Sequence, residues 1–307
     1  GSAWAPDPAP DGESLLAASL RRGLALPLRA AGAVAGLARH PTGAARTALT
    51  VAGGLVPLVR DGLFAPRSSL NAPPAGARRL AWVRAGVDDA RRAGRPAGAT
   101  LNDVVLAAVA GGLRHLALER GERLPAGAEL KVLVPVSRHV GPGDGELGNR
   151  VSALAVPLPI GIGDPRRRLA AIAAGTRQRK AGPEADAVGL ILDAADLLPA
   201  AAARTLTRSL DHQRFVNLVV TNVPGPPVPL YACGARMLEA FPVVPLAANF
   251  TVGVAVLSYD GALTVTLTAD DVACPDVDVL AAGIEQAFAQ LGVEPRAGGA
   301  PPGRRSP

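Results

Sequence analysis

The amino-acid sequence predicts an α/β protein, in which a mixed β-sheet carries packed helices. Strand-like and helix-like segments follow one another along the 307 residues without regular βαβ repetition and without an internal repeat. Hydrophobic residues make up 49% of the chain, which is enough to fill a sizeable core. The centre of that core should be a helix over residues 104–113, where no side chain is polar, because a helix that is apolar all round is buried on every side.

Composition limits the classes of function. The net charge of +6 comes almost wholly from arginine, with Lys131 and Lys180 as the two lysines, and only 3% of the residues are aromatic. Since no basic motif is interleaved with aromatic residues, we expect no nucleic-acid partner. Cys233 and Cys274 lie far apart in the sequence, and there is no CxxC pair. We therefore expect no metal site and no disulfide framework, as in a cytoplasmic protein.

Residues 1–65 are predicted to be a linker followed by arginine-rich connecting helices. We expect no signal peptide, and no run reaches the roughly 18 apolar residues that would predict a membrane-spanning helix. Between Ser14 and Arg60 there is no carboxylate, while arginines interrupt a background of Leu, Ala and Val. A cationic, apolar stretch of this kind suits the surface of an anionic membrane or lipid particle. Packing of these helices on the rest of the protein is an equally weighted alternative.

The central helix follows three shorter segments. Residues 65–78 are irregular, residues 79–87 alternate as a strand does, and residues 88–94 have the charge pattern of a short helix. The central helix should then begin at Thr100, because Thr100 and Asp103 stand at the spacing of a capping box.

Asn102 is a polar residue carried into the protein at the start of this buried helix. A buried amide costs free energy unless it finds hydrogen-bond partners, which are either structural groups or a ligand. Two interpretations stay open on physical grounds: Asn102 and Asp103 only cap a core helix, or they hold a substrate.

The rest of the chain mixes strands and helices. We expect, in order, a strand over 130–136, a glycine-rich loop over 137–145, a strand over 150–158, helices over 164–180 and 185–209, strands over 215–223, 237–241, 249–259 and 262–269, and a helix over 275–291. The strand over 215–223 leads into a rigid Pro-Gly corner, and Asp260-Gly261 should form the hairpin turn between the last two strands. Residues 293–307 are expected to be a disordered tail.

Three arginines, Arg166, Arg167 and Arg168, fall in the first two turns of the predicted helix over 164–180. Cations near a helix N-terminus oppose the helix macrodipole, so helix stability does not explain them. They serve either the solubility of the surface or contact with a phosphate group.

Several short motifs occur in one order between roughly residue 65 and residue 291. Together they resemble the bacterial wax ester synthase/diacylglycerol acyltransferase family, and the ordered set is far more specific than any single member. The motifs are Ser68-Ser69-Leu70-Asn71, Asn102-Asp103-Val104-Val105-Leu106-Ala107, Leu147-Gly148-Asn149, Thr221-Asn222-Val223-Pro224-Gly225-Pro226, and Asn249 with Val254-Ala255-Val256-Leu257-Ser258-Tyr259 and Ala269-Asp270.

The resemblance implies one lobe of the two-lobed CoA-dependent acyltransferase-like fold, with residues 66–292 as the C-terminal acyltransferase lobe. It implies an acyl-CoA-dependent O-acyltransferase that makes triacylglycerol or wax esters from diacylglycerol or a long-chain alcohol. Acyl-CoA is then a co-substrate, and no other cofactor is expected. The resemblance also implies a cytoplasmic enzyme bound peripherally to the inner face of the plasma membrane or to lipid droplets.

The general base of that family, a histidine in an HHxxxDG motif on the N-terminal lobe, has no counterpart in this sequence. In the Gly-rich loop, His139 precedes Asp144-Gly145, but the spacing is one residue too long and Arg138 occupies the place of the first histidine. None of the histidines stands beside a Ser or Cys nucleophile in a known motif: His40, His115, His139 and His212. We therefore expect the chain to need an HHxxxDG-bearing N-terminal lobe as its partner.

What the resemblance implies for single residues is carried over position by position. Asn102 and Asp103 become the candidate catalytic residues, with Asn102 holding the reaction centre and Asp103 bracing it. The candidate substrate-binding residues are Thr221 and Asn222 in a tunnel wall, Asn149 and Asn249 between the lobes, and Arg166, Arg167 and Arg168 at the phosphates of CoA. The alternative function is a non-catalytic module that binds acyl chains or a lipid surface.

Overall fold

The computed structural model describes residues 65–73, 75–137, 151–181, 215–247 and 249–296. The arginine-rich connecting helices, the predicted helix over 185–209 and the loop that contains Asn149 lie outside the described residues.

The core of the fold is a mixed sheet of six strands, as the sequence predicts. Its strands are β1 (Arg78–Gly86), β2 (Leu130–Ser137), β3 (Val151–Leu158), β4 (Leu218–Pro224), β7 (Val252–Tyr259) and β8 (Ala262–Asp270), in the order β1-β8-β7-β4-β2-β3. The central strand β4 is parallel to both of its neighbours, β2 and β7, and the other pairs are antiparallel. The six strands therefore run in two directions, and their last residues lie at both ends of the sheet. These last residues are 86, 137, 158, 224, 259 and 270.

The hairpin between β7 and β8 turns at Asp260 and Gly261, whose φ angles are +47° and +75°. Two successive positive φ angles match the right-handed twist of paired strands, and the predicted turn is confirmed. On β8, Val265 and Leu267 face the helices, while Thr266, between them, faces the opposite side, as the two-residue period of a strand requires.

Among the described residues, four helices pack on this sheet. They are α1 (Val87–Gly94), α2 (Leu101–Glu119), α3 (Pro165–Ala181) and α4 (Val277–Gln290), with a 3₁₀ turn at Arg95–Ala97 between the first two. Residues 104–113 of α2 are all buried, so the predicted central helix is confirmed. By length and composition α2 is the one helix among the described residues apolar enough to cross a membrane, and 67% of its apolar window lies inside the protein, as in a core helix.

Helices α2 and α4 approach each other closely because their contact is lined with glycine. A Cβ on Gly112 would stand 2.4 Å from Ile284 Cγ1 and 3.0 Å from the Leu280 carbonyl oxygen. A Cβ on Gly283 would stand 2.7 Å from the Cβ of His115. Side chains at these two positions would push the helices apart, so the glycines fix the spacing of the core.

Two predictions about the chain after β4 are wrong. Residues 237–241 form no strand; instead a two-residue hairpin, β5 (Tyr231–Ala232) and β6 (Ala235–Arg236), comes first, and residues 237–246 have no regular secondary structure. The predicted disordered tail also begins too early, since Val293 is buried and the Arg296 N–H donates to the Arg84 carbonyl at 3.2 Å.

Candidate functional site

Asp103 braces the start of α2 from two sides. Its Oδ2 accepts hydrogen bonds from the Thr100 backbone N–H at 2.8 Å and from the Thr100 hydroxyl at 2.7 Å, which completes the predicted capping box. Its Oδ1 accepts a hydrogen bond from the Thr176 hydroxyl on α3 at 2.6 Å. The residue is 3% exposed, so protein groups occupy both carboxylate oxygens. Asp103 therefore holds α2 against α3, which is a positioning role.

Asn102, the residue before Asp103 in the first turn of α2, contacts a residue of another sequence motif, the one that begins at Thr221. The Asn222 side chain, on β4, donates from Nδ2 to the Asn102 Oδ1 at 3.3 Å. The two residues are 120 positions apart in the sequence. Both are partly buried, and the Asn102 Nδ2 has no acceptor in the part of the chain that the structure describes. The contact therefore orients Asn102 and leaves its amide N–H groups available to a ligand.

Thr221 and Asn222 are separated by the pleat of β4. Asn222 pairs in register with Val256, which faces the helices, whereas Thr221 pairs with Ala255 and faces the other side of the sheet. Only Asn222 can reach the start of α2. Thr221 and Asn222 therefore belong to opposite faces of the sheet and do not line one common wall.

The Pro-Gly corner after β4 is fixed by contacts with β7. The Gly225 N–H donates to the Ser258 hydroxyl at 3.2 Å, and a Cβ on Gly225 would stand 2.2 Å from the Ser258 carbonyl oxygen. No other residue fits so close to a neighbouring backbone. The corner therefore fixes the end of β4, and with it the position of Asn222.

Asn249 lies at the opposite end of the sheet from Asn222. It precedes β7, which is parallel to β4, and its neighbour Phe250 bridges to Asn71. At about 3.3 Å per residue, the four steps along β4 from Asn222 back to Leu218 put roughly 13 Å between Asn222 and that end. Asn249 is thus not part of the Asn102 site, and Asn149 lies outside the described residues.

The three arginines at the start of α3 do not form one surface cluster. Arg166 and Arg167 are exposed, but Arg168 is 1% exposed and donates from Nε to the Ala107 carbonyl at 3.2 Å. Burial lowers the pKa of Arg168, and the neighbouring charge of Arg114 lowers it further. The three arginines therefore do not act as one group, because the Arg168 guanidinium is inside the protein, and the assignment of Arg168 to the phosphates of CoA stays a prediction.

Some polar residues that organise the structure were not identified from the sequence. Asn217, fully buried before β4, donates from Nδ2 to Asn71 Oδ1 at 2.7 Å and accepts from the Lys131 N–H at 2.8 Å. This network joins the segment over residues 65–73 to the start of β4. Asn71 and Asn217 are 146 residues apart, and no local pattern connects them.

No histidine lies near Asn102 within the described residues. His115 is the only histidine among them, and it follows Asn102 by thirteen residues on the same helix, about 20 Å along the axis. The carboxylate of Asp103 is adjacent, but both of its oxygens already accept hydrogen bonds. In the same part of the chain, no group of three His, Cys, Asp or Glu side chains is arranged to hold a metal ion. The described residues therefore offer amide donors at a helix start but no histidine to act as the base.

Solved structures of other proteins share this mixed α/β fold. The solved structure of the wax ester synthase/diacylglycerol acyltransferase from Marinobacter aquaeolei VT8 matches 82% of this chain and 56% of its own, with a TM-score of 0.59 and 25% sequence identity. A nonribosomal peptide synthetase shares the fold over 80% of this chain and 25% of its own, with a TM-score of 0.54 and 16% identity.

Sequence comparison identifies the family. The model of the wax ester synthase/diacylglycerol acyltransferase catalytic domain matches residues 2–105, and the model of the C-terminal domain of the same family matches residues 147–292. A probable diacylglycerol O-acyltransferase of Mycobacterium tuberculosis is 36% identical over 237 residues, which are 76% of this chain and 51% of the relative. The chain belongs to the wax ester synthase/diacylglycerol acyltransferase family.

A second putative diacylglycerol O-acyltransferase of Mycobacterium tuberculosis is 34% identical over 232 residues, which are 74% of this chain and 46% of that relative. The chain thus spans about half the length of the curated relatives it matches. The match to the catalytic-domain model ends at residue 105, just past Asn102 and Asp103, and residues 2–105 contain no HHxxxDG sequence.

Proposed function

We propose that this chain supplies one lobe of an acyl-CoA-dependent O-acyltransferase that makes triacylglycerol or wax esters from diacylglycerol or a fatty alcohol. The observation that carries the proposal is the contact between Asn102 and Asn222, which joins two of the family's motifs at the N-terminus of the buried helix. The names of the Mycobacterium relatives support diacylglycerol as the acceptor, and the Marinobacter structure supports a long-chain alcohol as well.

In the proposed reaction the acceptor hydroxyl attacks the thioester carbonyl of acyl-CoA. A base removes the hydroxyl proton, the new ester C–O bond forms, the C–S bond breaks, and the proton passes to the sulfur of CoA. Negative charge develops on the carbonyl oxygen before the C–S bond breaks. Donors held in place around that oxygen lower the barrier.

Asn102 is suited to this electrostatic role. Its Oδ1 is occupied by the Asn222 amide, so its Nδ2 faces away with N–H groups to donate. The positive end of the α2 macrodipole adds to the attraction for negative charge at the same place. We propose that Asn102 donates to the developing oxyanion or orients the catalytic histidine, while Asp103 positions the helix start.

The base is proposed to come from an HHxxxDG-bearing lobe. The segment after β6 supports a docking partner, because Leu238 and Val243 are 54% and 57% exposed. Phe241 packs edge-on against Trp82 and lies beneath the Arg84 guanidinium. Within the described part of the chain, residues 240–246 make no backbone-to-backbone hydrogen bond. Exposed apolar side chains on a segment without backbone partners suit contact with another lobe.

Contact with a lipid surface remains part of the proposal for the whole enzyme. Exposed Arg166 and Arg167 at the start of α3 are the cations in the described residues that we assign to CoA phosphates. The arginine-rich region between Ser14 and Arg60 is the segment we assign to the inner face of the plasma membrane or to a lipid droplet.

The test is acyl transfer from palmitoyl-CoA to diacylglycerol and to hexadecanol, measured with the chain alone and with the HHxxxDG-bearing half of a family member added. We expect turnover only in the second sample. Turnover by the chain alone would contradict the requirement for the other lobe. If neither sample shows turnover while the chain still binds palmitoyl-CoA, the result would favour the alternative function, a non-catalytic module that binds acyl chains.

Two variants test the role of Asn102 in the active sample. Asn102→Asp keeps the oxygen that accepts from Asn222 but removes the N–H donors, and we expect a loss of kcat of about 100-fold to 1,000-fold. Gln178→Glu, which makes the same change of amide to acid on the exposed face of α3, should leave kcat unchanged. A kcat for Asn102→Asp within threefold of the parent protein would exclude Asn102 from the reaction.

A further inference from the structure

A cavity of about 150 Å³ lies between the second half of α2, the loop before α3 and the last turns of α4. Twelve residues of α2 separate Asn102 from Arg114 in its wall, which is about 18 Å along the helix axis. The cavity is therefore separate from the Asn102 site. Its polar lining consists of Arg114 and His115 on α2, Arg168 on α3, and Gln286 and Gln290 on α4.

Arg168 brings a buried positive charge to this cavity. Its Nε donates to the Ala107 carbonyl and its Nη1 donates to the Ile162 carbonyl at 3.0 Å. Its Nη2 lies over Gly111, where an added Cβ would stand 2.8 Å from it, and it donates to no residue that the structure describes. Gly111 also lines the cavity, so this N–H group lies at the cavity wall.

Arg114 brings a second charge held in the same way. Its Nη1 donates to the Ile160 carbonyl at 3.0 Å and to the Gly161 carbonyl at 3.3 Å. Its Nη2 lies over Gly163, another residue of the wall, 3.5 Å from the position of an added Cβ. Both guanidinium groups are thus fixed by backbone carbonyls and keep N–H groups for a further acceptor.

No carboxylate forms an ion pair with either arginine among the described residues, and no Asp or Glu lines the cavity. Burial lowers the pKa of Arg168 most, and the charge of Arg114 lowers it further. The charge of Asp164, which is not in the cavity wall, opposes this effect only in part. A bound anion would remove the repulsion between the two arginines and satisfy the remaining donors.

We propose that this cavity binds a phosphate group. Two guanidinium groups, an imidazole and two primary amides supply only donors or can be turned to donate, which suits an oxyanion. The forked geometry of arginine matches the oxygens of phosphate. The volume admits a phosphate group but not a whole nucleotide, so the rest of a phosphate monoester would extend to the solvent beside exposed Gln286 and Gln290.

The test is isothermal titration calorimetry on the full chain with three ligands: inorganic phosphate, adenosine 3′-phosphate and vesicles that contain phosphatidic acid. Titration with sodium chloride at equal ionic strength measures binding by charge alone. We expect saturable binding of at least one phosphate ligand, at least tenfold tighter than chloride. The tightest of the three identifies the source of the phosphate: free, on a nucleotide or on a lipid headgroup.

Gln290→Glu puts a carboxylate at the wall without removing any contact that holds the fold, and it should raise the Kd at least tenfold. The matched control is Gln178→Glu, with the same change of charge on exposed α3 outside the cavity, and its Kd should stay within twofold. Arg114→Gln should weaken binding as Gln290→Glu does. Absence of saturable binding in all three titrations, or equal weakening by the two glutamates, would overturn the proposal.

Discussion

Replacing Thr176 with Val tests how α2 is held. The Thr176 hydroxyl donates to the Asp103 Oδ1 at 2.6 Å, and both residues are 3% exposed. Valine has nearly the same shape, so the substitution removes this hydrogen bond, the longer one from the same hydroxyl to the Ala173 carbonyl at 3.3 Å, and little else. The Oδ2 of Asp103 keeps its two hydrogen bonds from Thr100.

The expected cost follows from the charge and the burial. A hydrogen bond to a charged group contributes about 1.5–3 kcal/mol, and a buried carboxylate oxygen left without a donor puts the loss near the middle of that range. We expect Thr176→Val to lower the free energy of unfolding by about 2 kcal/mol, a change of roughly 30-fold in the unfolding equilibrium. Urea titration followed by circular dichroism measures this as a lower midpoint at an unchanged slope.

Thr176→Ser is the matched control, because it keeps the hydroxyl and removes the methyl group. Loss of one buried methyl costs about 0.8 kcal/mol or slightly more, so serine should be less harmful than valine. If packing alone mattered, the order would be the reverse, since valine fills the site as threonine does. A serine variant less stable than the valine variant would therefore refute the brace between Asp103 and α3.

Two further predictions concern the contact between helices α2 and α4 and the last residue of β8. Gly112→Ala should lower the free energy of unfolding by about 1–3 kcal/mol, because the new Cβ would meet Ile284, and thermal unfolding measures the loss. Backbone hydrogen bonds, the one from the Ala273 N–H first, lower the pKa of Asp270 from 3.8 to about 2. A pKa lowered in the folded state gives stability that is present above about pH 4 and lost as the pH falls towards 2, so Asp270→Asn should reduce the decline of the urea midpoint between pH 4 and pH 2.

The central helix was predictable because its signals are local. Thr100 and Asp103 are three residues apart, and a helix over residues 104–113 has no polar face that could be exposed to solvent. The turn at Asp260-Gly261 is local in the same sense. Where a pattern lies within one or two helical turns or one hairpin, the sequence alone was sufficient.

Contacts between distant residues could not be predicted in this way. Nothing near Asn102 indicates that Asn222 would meet it, and nothing near Thr176 indicates that Asp103 would. The motifs that resemble the family identified Asn222 and Thr221 together, but only the register of β4 with β7 separates them onto two faces. Strand direction likewise decides that Asn249 lies at the other end of the sheet.

The buried Arg168 was missed for a physical reason. Three consecutive arginines on a helix project in directions about 100° apart, so one of them can enter the core while its neighbours are exposed. Its guanidinium fits only because Gly111 leaves room on α2. The glycine and the arginine belong to different elements, so neither residue alone revealed the pair.

The error over residues 237–241 has a similar origin. Alternation along the segment is real, since Val244 and Leu246 pack towards Gly253 while Val243 is 57% exposed. An alternating pattern reports which side chains are buried, but a strand also needs a neighbour for its backbone. Within the described residues, residues 237–241 make one backbone-to-backbone hydrogen bond, from the Met237 N–H to the Leu230 carbonyl, and no strand pairing.

The position of Asn102 is fixed by several contacts that do not depend on one another. The capping box sets the first turn of α2, the Thr176 hydroxyl holds that turn to α3, and the glycine contact with α4 fixes the helix further along. Asn222 is fixed separately, because Gly225 ties the end of β4 to β7. Donors stabilise developing charge best when they need not reorganise as the charge appears. A helix that begins at the candidate site and is buried over residues 104–113 is therefore a suitable support for Asn102, because its first turn cannot shift without opening the core.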